Sequence, residues 1–236
     1  MIKNELVKRS PIRVLENSLH GGLGKGNLGV FTSRKGTGKT ACLIHVATDK
    51  LLREQGVLHI SFSEDPHHIE SWYKQVFEEV AAAYKLTNAS EIFDEINNKR
   101  IILHFKQADL QFSRIKDNID QLIANMSSQP ECFIIDGFAF ENSSVEDLQL
   151  WKDLAMKKNV EIWFAATLHR ENLLFDPNGI PNPVSHVADV FSVIIMLDPS
   201  HEYVDLKLLK DHGSDDIAKL RLKLDPKTLL IANHRI

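Results

Sequence analysis

The residues best suited to chemistry lie in one stretch, Phe31 to Thr40, reading FTSRKGTGKT. Its tail, Gly36-Thr37-Gly38-Lys39-Thr40, follows a short apolar run from Leu28 to Phe31. It opens a segment with Leu43, Ile44, Ala47 and Leu51 at helical spacing, so it joins a strand to a helix. Glycines there let successive backbone N–H groups turn onto an anion, and the helix N-terminus adds the positive end of a dipole. Lys39 can neutralise β- and γ-phosphate oxygens, and the Thr40 hydroxyl can ligate magnesium. The spacing Ser33-x4-Gly38-Lys39-Thr40 matches the Walker A pattern, with serine at the first glycine; serine can make that turn at negative φ. The phosphate-binding set is then Ser33, Arg34, Lys35, Gly36, Thr37, Gly38, Lys39, Thr40 and Ala41. A purely structural glycine turn is the alternative, but Gly-Lys-Thr at a strand-to-helix junction is an uncommon coincidence.

Hydrolysis needs more than a cradle: an acid that directs the metal and a group that activates water. Phe133-Ile134-Ile135-Asp136 is an apolar strand ending in a carboxylate, the form of a Walker B site in which Asp136 holds magnesium with Thr40. Glu64 follows a second strand in Ser61-Phe62-Ser63-Glu64-Asp65-Pro66. Ligand chemistry in parallel sheets gathers at the carboxyl ends of strands, where Glu64 can orient an attacking water or accept its proton. Asp65, followed by Pro66, reads as a helix cap. His67, His68 and His45 read as surface or packing residues, since no second ligand stands at metal spacing.

These residues need a scaffold, and alternating strands and helices supply one. After the loop helix come a strand over Val57 to Phe62, a helix carrying Ile69, Trp72, Val76, Phe77 and Val80, and a polar stretch, Thr87 to Lys99, with a short helix near Ile92 to Ile96. A strand from Ile101 to Phe105, a helix with Phe112, Ile115, Ile119 and Ile123, the Cys132 to Ile135 strand, a helix around Trp151 and a strand from Glu161 to Thr167 complete the alternation. That order predicts an α/β fold with a largely parallel sheet. Residues 169–188, with four prolines or glycines, read as a long irregular loop. Val190 to Leu197, Tyr203 to Leu209, Ile217 to Leu224 and Thr228 to Ile231 read as strands without intervening helices, an antiparallel C-terminal extension. Met1 to Gly26 reads as a strand or helix with a hairpin-like lead-in.

At 236 residues and 43% apolar content the chain suits one domain over 1–236, with a lead-in 1–26, a nucleotide-binding core 27–168, the loop 169–188 and the extension 189–236. A net charge of −4 offers no broad footprint for nucleic acid or anionic membrane. Cys42 and Cys132 are expected to be reduced core residues. With no signal-like apolar segment and no run long enough to span a bilayer, a soluble cytoplasmic protein without a membrane partner is expected.

Taken together, Val14-Leu15-Glu16, the turn Gly21-Gly22-Leu23-Gly24-Lys25-Gly26, the Walker loop and Phe62-Ser63-Glu64-Asp65-Pro66 resemble KaiC-type ATPases of the RecA superfamily. The family usually shows two consecutive glutamates; Ser63 replaces the first and Glu64 matches the second. Asp136-Gly137 is similar to its Walker B aspartate and small successor, and Thr167-Leu168-His169-Arg170 occupies the place of a γ-phosphate sensor. The resemblance covers Val14 to Ile231 and implies a RecA-like P-loop domain that uses ATP and Mg2+, with Glu64, Lys39 and Thr167 in catalysis and Thr40 and Asp136 at the metal. It further implies a homo-oligomer, a hexamer among its forms, in which a late Lys-x-Arg pair reaches the neighbour's nucleotide. Here that pair is Lys210 and His212, and histidine in place of arginine implies slow turnover. DnaB-like motors and RecA recombinases share the core, which leaves two alternatives: a DNA-directed motor or recombinase, and an ATP-sensing scaffold with little hydrolysis. Against the first, residues 170–188 carry Arg170 against Glu171 and Asp176, a poor set for DNA phosphates.

Overall fold

The computed structural model describes residues 2–106, 111–126, 128–168, 174–214 and 216–233. Two short helices, α1 (Ile2–Arg9) and α2 (Pro11–Ser18), come first. There follow β1 (Leu28–Ser33), α3 (Lys39–Leu52), β2 (Gly56–Ser61), α4 (Pro66–Ala83), α5 (Ala89–Asn97), β3 (Arg100–His104) and α6 (Phe112–Ala124). Then come β4 (Pro130–Asp136), α7 (Val145–Lys158), β5 (Glu161–Thr167), β6 (Val193–Pro199), β7 (Val204–Asp211), β8 (Leu222–Leu224) and β9 (Ile231–Asn233). One sheet runs β3-β2-β4-β5-β1-β6-β7-β8-β9. Pairing is parallel from β3 through β6 and antiparallel from there to β9.

Side-chain alternation divides the core in two. Phe31, Val57, Ile134, Trp163 and Ile195 point toward α1 to α5. Val30, Leu58, Phe133, Ile135 and Phe164 point toward α6, α7 and the segment around Phe191. Strands buried on both faces are near-continuous apolar runs, as helices on both sides of a parallel sheet require. Gly29 exists for this packing: a Cβ there would lie 2.7 Å from the Trp163 ring, which stacks on Phe31 at 5.0 Å.

Several expectations change. The lead-in is helical, because Ser10 caps α2 through Ile12 N–H and Pro11 opens it, while Ile12 and Leu15 pack inward. The short helix expected near Ile92 is a full α5, its length fixed by burial of Ile92 and Ile96. A 3-10 helix covers Ser185–Val190, so β6 starts later than expected. Of the run Ile217 to Leu224 only Leu222–Leu224 pairs, because β7 offers β8 only Val204 and Asp205. Within the expected irregular loop, residues 174–182 form a tight hairpin, with Asp176 Oδ1 accepting from Asn178 and Ile180 N–H at 2.9 and 2.7 Å. His169, Arg170 and Glu171 lie outside the described residues.

Candidate nucleotide site

The loop between β1 and α3 crosses the carboxyl edge of the parallel strands. β1 ends at Ser33, in register with Thr167 of β5, and β2 ends at Ser61, in register with Asp136 of β4. Four strand ends thus bring their last side chains to one edge, where a cleft of about 730 Å³ opens, within the range of small-molecule sites. Lys35, Gly36, Gly38, Lys39, Thr40, Ala41, Glu64, Asp136 and Thr167 all line it. Ser33, Arg34 and Thr37 do not. Ser33 is buried beneath the loop, its hydroxyl 3.1 Å from the Arg34 carbonyl, while Thr37 Oγ1 donates to that same carbonyl at 2.9 Å.

Backbone shape follows from the glycines. Gly36 and Gly38 have φ of +80° and +106°, the left-handed region open to glycine. A Cβ on Gly38 would also stand 2.2 Å from Leu224 Cδ2, so the loop packs directly on β8. α3 begins at Lys39 with no side-chain cap, which leaves its first N–H groups free to meet an anion.

Lys39 Nζ donates to the carbonyls of Ser33 and Arg34 at 3.1 and 2.9 Å. Burial lowers its pKa to about 8, opposed by the Asp136 charge. Thr40 Oγ1 donates to Asp136 Oδ2 at 2.8 Å, and Gly137 N–H donates to Asp136 Oδ1 at 2.9 Å. Burial raises the Asp136 carboxyl above its usual range, and the Thr40 and Gly137 hydrogen bonds pull the other way. Among the described residues no group of three or more His, Cys, Asp and Glu could hold a metal ion. The Thr40–Asp136 pair fits magnesium nonetheless, since that ion takes one or two protein oxygens and fills its shell with phosphate and water.

Glu64 faces this pair from β2. Ser61 Oγ accepts from Glu64 N–H and donates to Glu64 O, both at 2.9 Å, which fixes the backbone. Asp65 caps α4 as expected, accepting from His67 and His68 N–H at 2.9 and 3.2 Å. Gly137 φ is +73°, and a Cβ there would meet Ser63 N at 2.9 Å. The small residue after Asp136 is therefore set by contact between the ends of β2 and β4.

Lys210 and His212 stand apart from the cleft. Lys210 Nζ donates to Ala188 O at 2.8 Å. His212 Nδ1 meets Asp211 Oδ1 at 2.7 Å and its Nε2 meets Leu23 O at 3.1 Å, while His20 Nδ1 holds the other Asp211 oxygen at 3.1 Å. A role toward a neighbour's nucleotide requires His212 to give up these bonds. Sequence reasoning also missed part of the cleft: Trp72 and Val76 of α4, Ile44, Leu229 and the turn from Phe138 to Asn142 line it too. For Trp72 the helical spacing carried only a packing signal, and the turn after Asp136 carried none.

No protein-family model and no curated protein matches the chain. Among solved structures it is similar to the ATPase domain of a DnaB-like helicase, at 16% identity and a TM-score of 0.66, over 96% of this chain and 90% of that one. The fold is RecA-like: a mostly parallel sheet flanked by helices, extended by antiparallel strands at the C-terminal end.

Proposed function

We propose that the chain is a magnesium-dependent ATPase, KaiC-like in kind, whose hydrolysis drives a conformational switch. The observation that carries this reading is the 2.8 Å bond between Thr40 and Asp136, beside a buried Lys39 and under a glycine loop. It joins the two groups that direct a metal to β- and γ-phosphates. Magnesium, when bound, neutralises phosphate charge. The chain's own residues supply the rest: loop N–H groups and Lys39 hold the phosphates, Glu64 orients or deprotonates water, and Thr167 reaches the γ-phosphate from β5. Ala41, Ile44, Trp72, Val76 and Leu229 give the cleft an apolar wall suited to a nucleobase. The likeness to an ATPase domain agrees.

In this reading the chain is a homo-oligomer, with Lys210 and His212 serving the adjacent subunit, and its turnover is slow because His212 is tied to Asp211 and Leu23. The test combines calorimetry with turnover. Lys39→Ala and Thr40→Ala should each weaken Mg–ATP binding at least about tenfold, while Glu64→Gln binds normally and turns over slowly. Unchanged ATP affinity in both loop variants would make the glycine turn merely structural. Turnover with and without single-stranded DNA, and mass with and without Mg–ATP, separate a switch from a DNA motor.

A further inference from the structure

Glu64 is fixed at its backbone but not at its carboxylate. Ser61 holds its N–H and C=O. Across the cleft stands Asp136, whose carboxyl is raised in part by the Glu64 charge, so the two acids repel. Among the described residues, the ion-pairing partner of the Glu64 carboxylate is His68, with Nε2 3.9 Å from Oε2. His68 lies one turn into α4, and its ring rests on Trp72 one turn further, with centroids 4.8 Å apart and planes tilted by 58°.

Position separates the three. Glu64 and Trp72 line the cleft; His68 does not. The spacing Glu64, His68, Trp72 places successive members four residues apart, on one face of the helix start. The ring is thus braced by the indole on one side and backs the carboxylate on the other. Contacts between a base and its supporting group at this separation shorten to hydrogen-bond length when substrate fills a site. A nucleobase against Trp72 would press on the far side of the same brace.

We infer that His68 is a positioning residue for the water-activating Glu64, linking the Trp72 wall of the nucleotide cleft to the carboxylate that attends the γ-phosphate. This rests on the ATPase reading above. It assigns His68 no contact with substrate: the imidazole supplies a donor behind Glu64 and limits its rotamers, so that the free oxygen faces the water.

The test is a mutant cycle on the full chain with Mg–ATP. His68→Ala should lower kcat about tenfold with KM within about twofold, because it disturbs orientation rather than binding. His68→Gln, which keeps a donor of similar reach, should stay within about threefold of the parent. Alanine favours a helix, so thermal stability should hold, and a merely structural role would affect Glu64→Gln as it affects the parent. The decisive readout is coupling: added to Glu64→Gln, His68→Ala should cost less than about twofold more. A further tenfold loss in that double variant, or a His68→Ala kcat equal to the parent's, overturns the assignment while leaving the ATPase reading intact. A parent chain that binds Mg–ATP yet turns over no faster than Lys39→Ala removes hydrolysis itself, and the role of His68 with it.

Discussion

Two buried histidines should make the fold sensitive to mild acid. His59, in the middle of β2, is fully buried, with Nδ1 3.1 Å from the Tyr73 hydroxyl and Nε2 without a partner. Burial lowers its pKa to about 3, helped by the nearby Arg100 charge. His45 on α3, whose Nε2 meets Leu229 O at 2.8 Å, is lowered by burial to about 4. Both folded values lie below the unfolded value of about 6.5, so the unfolded chain binds more protons throughout that window. Stability is therefore complete above pH 6.5 and falls as pH drops toward 4. At pH 5 each histidine removes about 2 kcal/mol relative to pH 8, and about 4 kcal/mol together is a large share of an ordinary 5–15 kcal/mol. Asp49 and Asp136, raised by burial, act in the opposite direction, so single variants isolate each share. Urea unfolding of the parent at pH 8 and pH 5, beside His59→Asn, is the assay. His59→Asn should lose about 2 kcal/mol of the pH dependence. A parent equally stable at both values, or a His59→Asn variant that keeps the full dependence, would refute the reasoning.

Three more expectations concern the site. With Lys39 near pKa 8 and phosphates favouring its charged form, Mg–ATP affinity should fall about tenfold from pH 7 to pH 9; a flat calorimetric series over that range contradicts the assignment. Gly137→Ala adds a Cβ at 2.9 Å from Ser63 N in a left-handed backbone and should cost about 1–3 kcal/mol in thermal unfolding, along with turnover; parent-like values would mean that the strand ends move apart freely. His212 satisfies both Asp211 and Leu23 O only as an imidazolium, since both partners accept. His212→Gln, able to serve one of them, should speed hydrogen exchange at residues 20–23, and unchanged exchange there would remove the clasp.

What the sequence disclosed was local chemistry. Gly-Lys-Thr after an apolar run, an apolar strand ending in Asp136 and a capped helix after Glu64 each carry their meaning within ten residues, and the parallel sheet brings them together at one edge as the alternation of strands and helices implies. Cross-sheet relations were hidden. Whether Ile217 to Leu224 pairs depends on how much edge β7 presents, and its alternation is equally that of an unpaired extended chain with Leu220 and Leu222 inward.

The same limit applies to the histidines. His67 and His68 are neighbours in sequence and alike in composition, yet His67 Nδ1 turns to Glu70 on the exposed helix surface while His68 Nε2 turns back toward Glu64. The difference comes from helix phase: Trp72 is packed against the core on the cleft side of α4, and a residue four positions earlier shares that side. Counting back from Trp72 would have singled out His68 and then Glu64. The signal was present in the spacing, but it becomes readable only once Trp72 is known to face a cleft rather than another helix. His212 reverses the case, because its place in a Lys-x-Arg pattern pointed outward to a neighbour, whereas a left-handed backbone at φ +50° turns the ring inward to Asp211 and Leu23. Residue type and spacing name the chemistry a side chain can perform; backbone conformation decides which partner receives it.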